Sequence, residues 1–201
     1  VCAADACEDT DVSTEGTTRD TAASGSTGHL MEMLTGYAAA HQHPVNIAVH
    51  MAGIPTIMLG VLIPLQWVVI ASPGGVELTL AHVLIAGFAG FYLTLDVAFA
   101  LTFLAGALLL SWAASWIAGL GTVTAASIAA AMFFGGYAAQ FIGHAIEKSV
   151  PVLVRHPLQA NLAAPFFTVV ELFKLAGLRS ELFDQVQQRV ALRREREQTS
   201  L

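Results

Sequence analysis

His50 and His144 are ionisable side chains set inside or at the edge of apolar runs, and each has a carboxamide one helical turn before it, Asn46 and Gln140. In an apolar segment an ionisable group is by default a functional one. Asn46, His50 and Gly53 follow i, i+4, i+7 spacing, and Gly136, Gln140, His144 and Glu147 share one face of a second helix. If the two faces meet, two imidazoles converge, with Asn46 and Gln140 placed to hydrogen-bond them or to orient a substrate. A neutral imidazole is a good ligand for divalent iron or zinc, and its second nitrogen needs a partner that these amides, or Glu147, could supply. The pattern points to a metal centre facing a lipid-filled groove.

The remaining polar groups read more plainly. His29 and His43 fit interfacial or hydrogen-bonded roles. Pro44 separates His41 from the helix that follows, so its direction is open, and His156, between Arg155 and Pro157, reads equally as a spare ligand and as a surface residue. Asp96 suits a helix N-cap, and Glu147 a surface partner of Lys148 or Arg155. Trp67, Trp112 and Trp116, near the ends of apolar runs, suit interface anchors.

The elements that must position these groups follow from composition. With 55% hydrophobic and 12% charged residues and a mean hydropathy of +0.65, the chain is too apolar for an ordinary soluble domain of 201 residues. It reads as an all-α integral membrane bundle. The net charge of −6 comes largely from Asp5, Glu8, Asp9, Asp11, Glu15 and Asp20 in a polar tail, residues 1–33, expected to be disordered. The chain starts with Val and shows no basic start followed by a short apolar core, so no cleavable signal peptide is expected. Cys2 and Cys7 lie in the tail and receive no role.

About four transmembrane helices are expected: Val45 to Ala71, near Leu78 to Leu95, near Val97 to Ala118, and Thr122 to Gly143, with Asp96 marking a hairpin between the second and third. Ala163 to Ala176 is too short to span and carries Glu171 and Lys174, which suits a short interfacial or re-entrant helix. Ser180 to Gln198 reads as a charged solvent-side helix. The domain organisation is thus a tail (1–33), a membrane domain (34–179) and a charged C-terminal helix (180–201). Eight of the nine basic residues follow the fourth span, which places both termini on the cytoplasmic side. His41, His43, His50, Asp96, His144 and Glu147 then share one face of the membrane, and His82 lies at the other.

The order Tyr37-x3-His41-x2-Pro44-Val45-Asn46-x3-His50-x2-Gly53-Ile54-Pro55, then Gln140-Phe141-Ile142-Gly143-His144-x2-Glu147-x3-Pro151, then Ala164-Pro165-x5-Glu171 resembles the Mpo1-like family, once called DUF962. The resemblance runs from about Leu34 to Arg179. It implies an iron(II)-dependent dioxygenase of the endoplasmic reticulum membrane, or of the inner membrane in a bacterium. The implied reaction belongs to fatty acid α-oxidation: with dioxygen, a 2-hydroxy fatty acid, including one derived from phytosphingosine breakdown, becomes a fatty acid one carbon shorter. The family histidines fall on His41, His50 and His144, with His156 and His43 on the correct side for a fourth ligand and His156 the one assigned. Asn46, Gln140 and Glu147 complete the expected site.

A three- or four-histidine iron with an open position could take the substrate's 2-hydroxyl and carboxylate together, with dioxygen beside them. No GxGxxG nucleotide motif, no paired-cysteine site and no sign of a nucleic-acid partner occurs. Two rival classes remain. A small transporter should show polar residues at several depths, whereas spans two to four are Ala, Leu, Phe and Gly through most of their middles. A non-catalytic membrane scaffold or metal-binding module would keep the histidines without turnover.

Overall fold

The structure, a computed structural model, describes residues 28–39, 41–148, 152–155 and 157–199. Helix α1 covers 28–39, so residues 28–33, expected in the polar tail, are helical. Then come α2 (Pro44–Leu65), a short antiparallel pair β1 (Val69–Ala71) and β2 (Leu78–Thr79) around a turn at Pro73–Gly75, α3 (Leu80–Leu93), α4 (Val97–Ala118), α5 (Thr122–Glu147), α6 (Val152–Arg155), α7 (Pro157–Leu175) and α8 (Ser180–Thr199). The architecture is the all-α membrane bundle expected.

Among the described residues three helices, α2, α4 and α5, are long and apolar enough to cross a membrane, and α7 with α8, bent by 117° at their junction, would make a fourth only as a broken pair. The second expected span is shorter than its apolar run. Leu78 and Thr79 pair with β1, and the chain turns at Thr94 and Leu95, which leaves α3 only 14 residues, roughly 21 Å of rise. α3 still returns the chain across the bundle. The first span ends at Leu65 rather than Ala71 for the same reason, because the last residues of that run form β1. α7, at 19 residues, is longer than the interfacial segment expected.

Small residues set the packing. α2 and α5 form the most extensive helix pair and run antiparallel. A Cβ built on Gly60 would stand 2.8 Å from the Phe133 N and 2.9 Å from the Ala129 O, and one on Gly136 2.5 Å from the Ile57 Cγ1. Backbone approach of this kind lets membrane helices associate through van der Waals contact. α4 meets the core with Phe99, Ala100, Phe103, Ala107, Ser111 and Ala114, while Leu101, Leu108 and Leu109 face outward. Trp67, Trp112 and Trp116 are all exposed at the end where α2 and α4 finish.

At the opposite end Asp96 caps α4, its Oδ1 accepting from the Phe99 N at 3.1 Å, while Oδ2 pairs with Arg179, whose guanidinium lies over the Phe99 ring. That clasp ties the α7–α8 turn to the α3–α4 turn. Tyr92 adds a second tie, its hydroxyl donating to the Leu162 carbonyl at 2.7 Å.

Gly60→Ala should lower stability by about 1–3 kcal/mol, because a methyl group there meets backbone that cannot swing aside. Gly87, with nothing within 4 Å of its virtual Cβ, is the control, and Gly87→Ala should be neutral or slightly stabilising. Unfolding midpoints in detergent check this; equal midpoints for the two variants would contradict the close approach of α2 and α5.

Candidate metal centre

The sharp turn into α2 and the last turn of α5 bring the polar groups together. Glu147, at the end of α5, accepts from the backbone N–H of Gln42 at 2.7 Å and of His43 at 3.2 Å, and its second oxygen accepts from the Asn46 amide. One carboxylate thus satisfies the backbone donors of the turn that enters α2. His43 caps the same helix, its Nδ1 accepting from the Val45 N at 3.2 Å, a structural role. The segment carrying His41 is held over the helix pair that carries His50 and His144.

These three histidines are buried, at 6%, 3% and 5% exposure, and one ligand nitrogen from each lies within 4.8 Å of the other two. His50 Nδ1 lies 2.9 Å from the Asn46 carbonyl and His41 Nδ1 3.1 Å from the Tyr37 carbonyl. A carbonyl only accepts, so each Nδ1 carries the proton, and in the neutral ring each Nε2 keeps a lone pair. The two Nε2 atoms are 3.3 Å apart. Burial, with His50 adding to it, pushes the pKa of His41 from 6.5 down to about 3, so the imidazole is neutral near pH 7 and brings no second proton to that contact. Two lone pairs at this distance repel unless a cation lies between them. The donor set, its orientation and its burial fit a divalent metal ion.

Tyr37 supports His41 twice, through its carbonyl and through its ring, which stacks on the imidazole at 3.9 Å and 9° and on Phe167 at 3.6 Å. Burial, followed by the negative charges of Glu171 and Glu147, raises its pKa well above the ordinary phenol value. The sequence motif contains Tyr37 but by itself gives it no role. Its i, i+4 spacing to His41 was the available signal.

Below the triad opens a cavity of about 1190 Å³ between α1, α2, α3, α5 and α7. Its walls are apolar along most of their length, and His41, His50, His144 and Gln140 stand at one end. Gln140 lies one turn before His144, and its Nε2 is buried with no hydrogen-bond partner among the described residues. Asn46, 0% exposed, engages Glu147 instead and does not line the cavity. Glu147 thus anchors the loop of His41 and the first turn of α2 to the end of α5. His156 lies outside the described residues. His82 lies at the far end of the bundle, its Nδ1 accepting from the Thr79 N at 3.1 Å at the start of α3.

A family model described as 2-hydroxy-palmitic acid dioxygenase Mpo1-like matches residues 27–175. No curated protein and no solved structure matches the chain.

His50→Ala and His144→Ala should lose bound metal, His41→Ala most of it, and His82→Ala none, as metal per protein measured by mass spectrometry on the purified variants. Glu147→Ala should weaken metal affinity about 10- to 100-fold, the usual effect of removing a group that orients ligands. Metal loss in His82→Ala equal to that in His50→Ala would contradict the arrangement.

Proposed function

The chain belongs to the Mpo1-like family, and on that premise we propose that it is an iron(II)-dependent dioxygenase converting 2-hydroxy fatty acids to fatty acids one carbon shorter, a step of fatty acid α-oxidation. The observation that carries the reading is the convergence of three buried imidazoles at the polar end of an apolar cavity large enough for an acyl chain. His41, His50 and His144 would hold the iron. The chemistry expected of divalent iron bound there is dioxygen activation and polarisation of the 2-hydroxy acid.

The chain's own groups have separable tasks. The apolar walls hold the acyl chain and exclude water from the histidines. Gln140 donates from its unpartnered Nε2 to an oxygen of the substrate head, which removes the desolvation cost of leaving that amide unpaired. Glu147 and Asn46 act as positioning residues: together they hold the loop of His41 and the first turn of α2 against α5. His156 is retained as a fourth-ligand candidate from the sequence.

The reaction balances without an added reductant. The C1–C2 bond of the substrate breaks, C2 becomes the new carboxyl carbon and C1 leaves as carbon dioxide. The four electrons released are those that dioxygen takes up, one oxygen atom entering the new carboxylate and the other water. Reductase and organic cofactor are both unnecessary.

The proposed setting is a multi-pass membrane protein, of the endoplasmic reticulum in a eukaryote or the inner membrane in a bacterium, with both termini cytoplasmic. The basic residues after α5 support the orientation. The start of α2 and the end of α5 lie side by side, which supports placing both ends on one side.

Iron-loaded protein given a 2-hydroxy fatty acid under ¹⁸O-labelled dioxygen should release the acid one carbon shorter with one labelled oxygen in its carboxylate, read by mass spectrometry, and chelation should abolish it. Unlabelled product, or full turnover by metal-free protein, would exclude the mechanism. Gln140→Leu should keep its metal and lose about 10- to 100-fold in kcat/KM, the worth of a hydrogen bond to a charged group.

A further inference from the structure

The lining of the large cavity ends at one level of the bundle, and the residues at that end take no part in the metal centre. On α2 its lining runs from His50 through Ile54, Ile57, Met58 and Val61 to Leu62, a stripe with helical spacing. α3 runs antiparallel and supplies Ile85 at the lower level and Phe88 and Phe91 above it. One turn beyond Leu62 the lining stops. There the Gln66 Nε2 donates to the Ser111 carbonyl at 3.0 Å and lies 2.9 Å from its hydroxyl, and the Gln66 Oε1 accepts from the Thr79 hydroxyl at 2.9 Å.

All three residues are buried. A satisfied polar network in an apolar interior resists rearrangement, because every bond broken there leaves a group unpaired. This one joins the end of α2, the start of α3 and the last turns of α4. It seals the bundle behind Val61, Leu62 and Ile85.

We propose that this floor measures the substrate's acyl chain, so that Val61, Leu62 and Ile85 set the length of 2-hydroxy acid the protein accepts. The inference rests on the reading of the site given under Proposed function. Leu62 lies twelve residues after His50, which is a depth of roughly 18 Å along α2. An extended chain advances about 1.3 Å per carbon, given C–C bonds of about 1.5 Å at tetrahedral angles. The cavity therefore takes about fourteen carbons beyond the head of the acid, and each helical turn of depth, about 5.4 Å, corresponds to about four of them. Longer chains must bend or leave methylenes outside, and each methylene that no longer fits forfeits about fourfold in preference.

The test is a competition in one vessel. The full-length, iron-loaded protein receives an equimolar mixture of saturated 2-hydroxy acids of graded length, and the product distribution is compared across variants, which cancels differences in yield. Val61→Trp should lower the upper length limit and Met58→Trp, one turn nearer the metal centre, should lower it further, by about three or four carbons. Ile85→Ala should raise it. For a variant that folds without turnover, the rise in unfolding temperature that each acid produces reads the same limit. Variants that consume or bind the mixture in wild-type proportions would overturn the ruler. Failure of the wild type to consume any acid would instead overturn the dioxygenase reading on which it rests.

Discussion

Two imidazole nitrogens, both bearing lone pairs and 3.3 Å apart in a buried site, are the constraint around which this fold is arranged. A cation between them relieves that repulsion, and the groups behind the two rings keep them so placed. The carbonyls of Tyr37 and Asn46 fix which nitrogen faces inward. Glu147 holds the turn that carries His41 against the helix that carries His144. The stacking of Tyr37 between His41 and Phe167 carries the support outward to α7.

The same arrangement explains why small residues matter on α2 and α5. Gly53 and Gly60 on one helix face Gly136, Ala129 and Phe133 on the other, and their lack of bulk brings the backbones close enough for His50 and His144 to share one centre. Close packing at that seam gives way, on the adjoining face of α2, to the open volume lined by Ile54, Met58, Val61 and Leu62. One helix thus serves as scaffold on one face and as cavity wall on the next. The polar network of Gln66, Thr79 and Ser111 gives the bundle a fixed lower end.

Much of the site was legible because charge and spacing act locally. His50 and His144 stood out as ionisable groups in apolar runs, their faces followed from helical periodicity, and counting spans placed His41 with them and His82 away. What hydropathy could not show was where an apolar run stops being helix. Leu78 and Thr79 are as apolar or neutral as their helical neighbours, and only pairing with β1 reveals them as extended, which shortens α3 to 14 residues. α1 was hidden for the opposite reason: Leu30, Met31 and Leu34 form its buried stripe, but Gly28, Thr35 and Gly36 dilute the helical pattern. The partner of Glu147 was also out of reach, since it depends on backbone donors at Gln42 and His43, about a hundred residues earlier in the chain.

The central claim is that His41, His50 and His144 together hold one iron ion. X-ray absorption spectroscopy on the iron-loaded protein in detergent tests it most directly, because scattering from the outer atoms of imidazole rings counts the histidines bound. The account predicts iron with at least three imidazole ligands, and the loss of one imidazole from any iron that His41→Ala retains. Iron coordinated by oxygen alone, or with one imidazole, would contradict it.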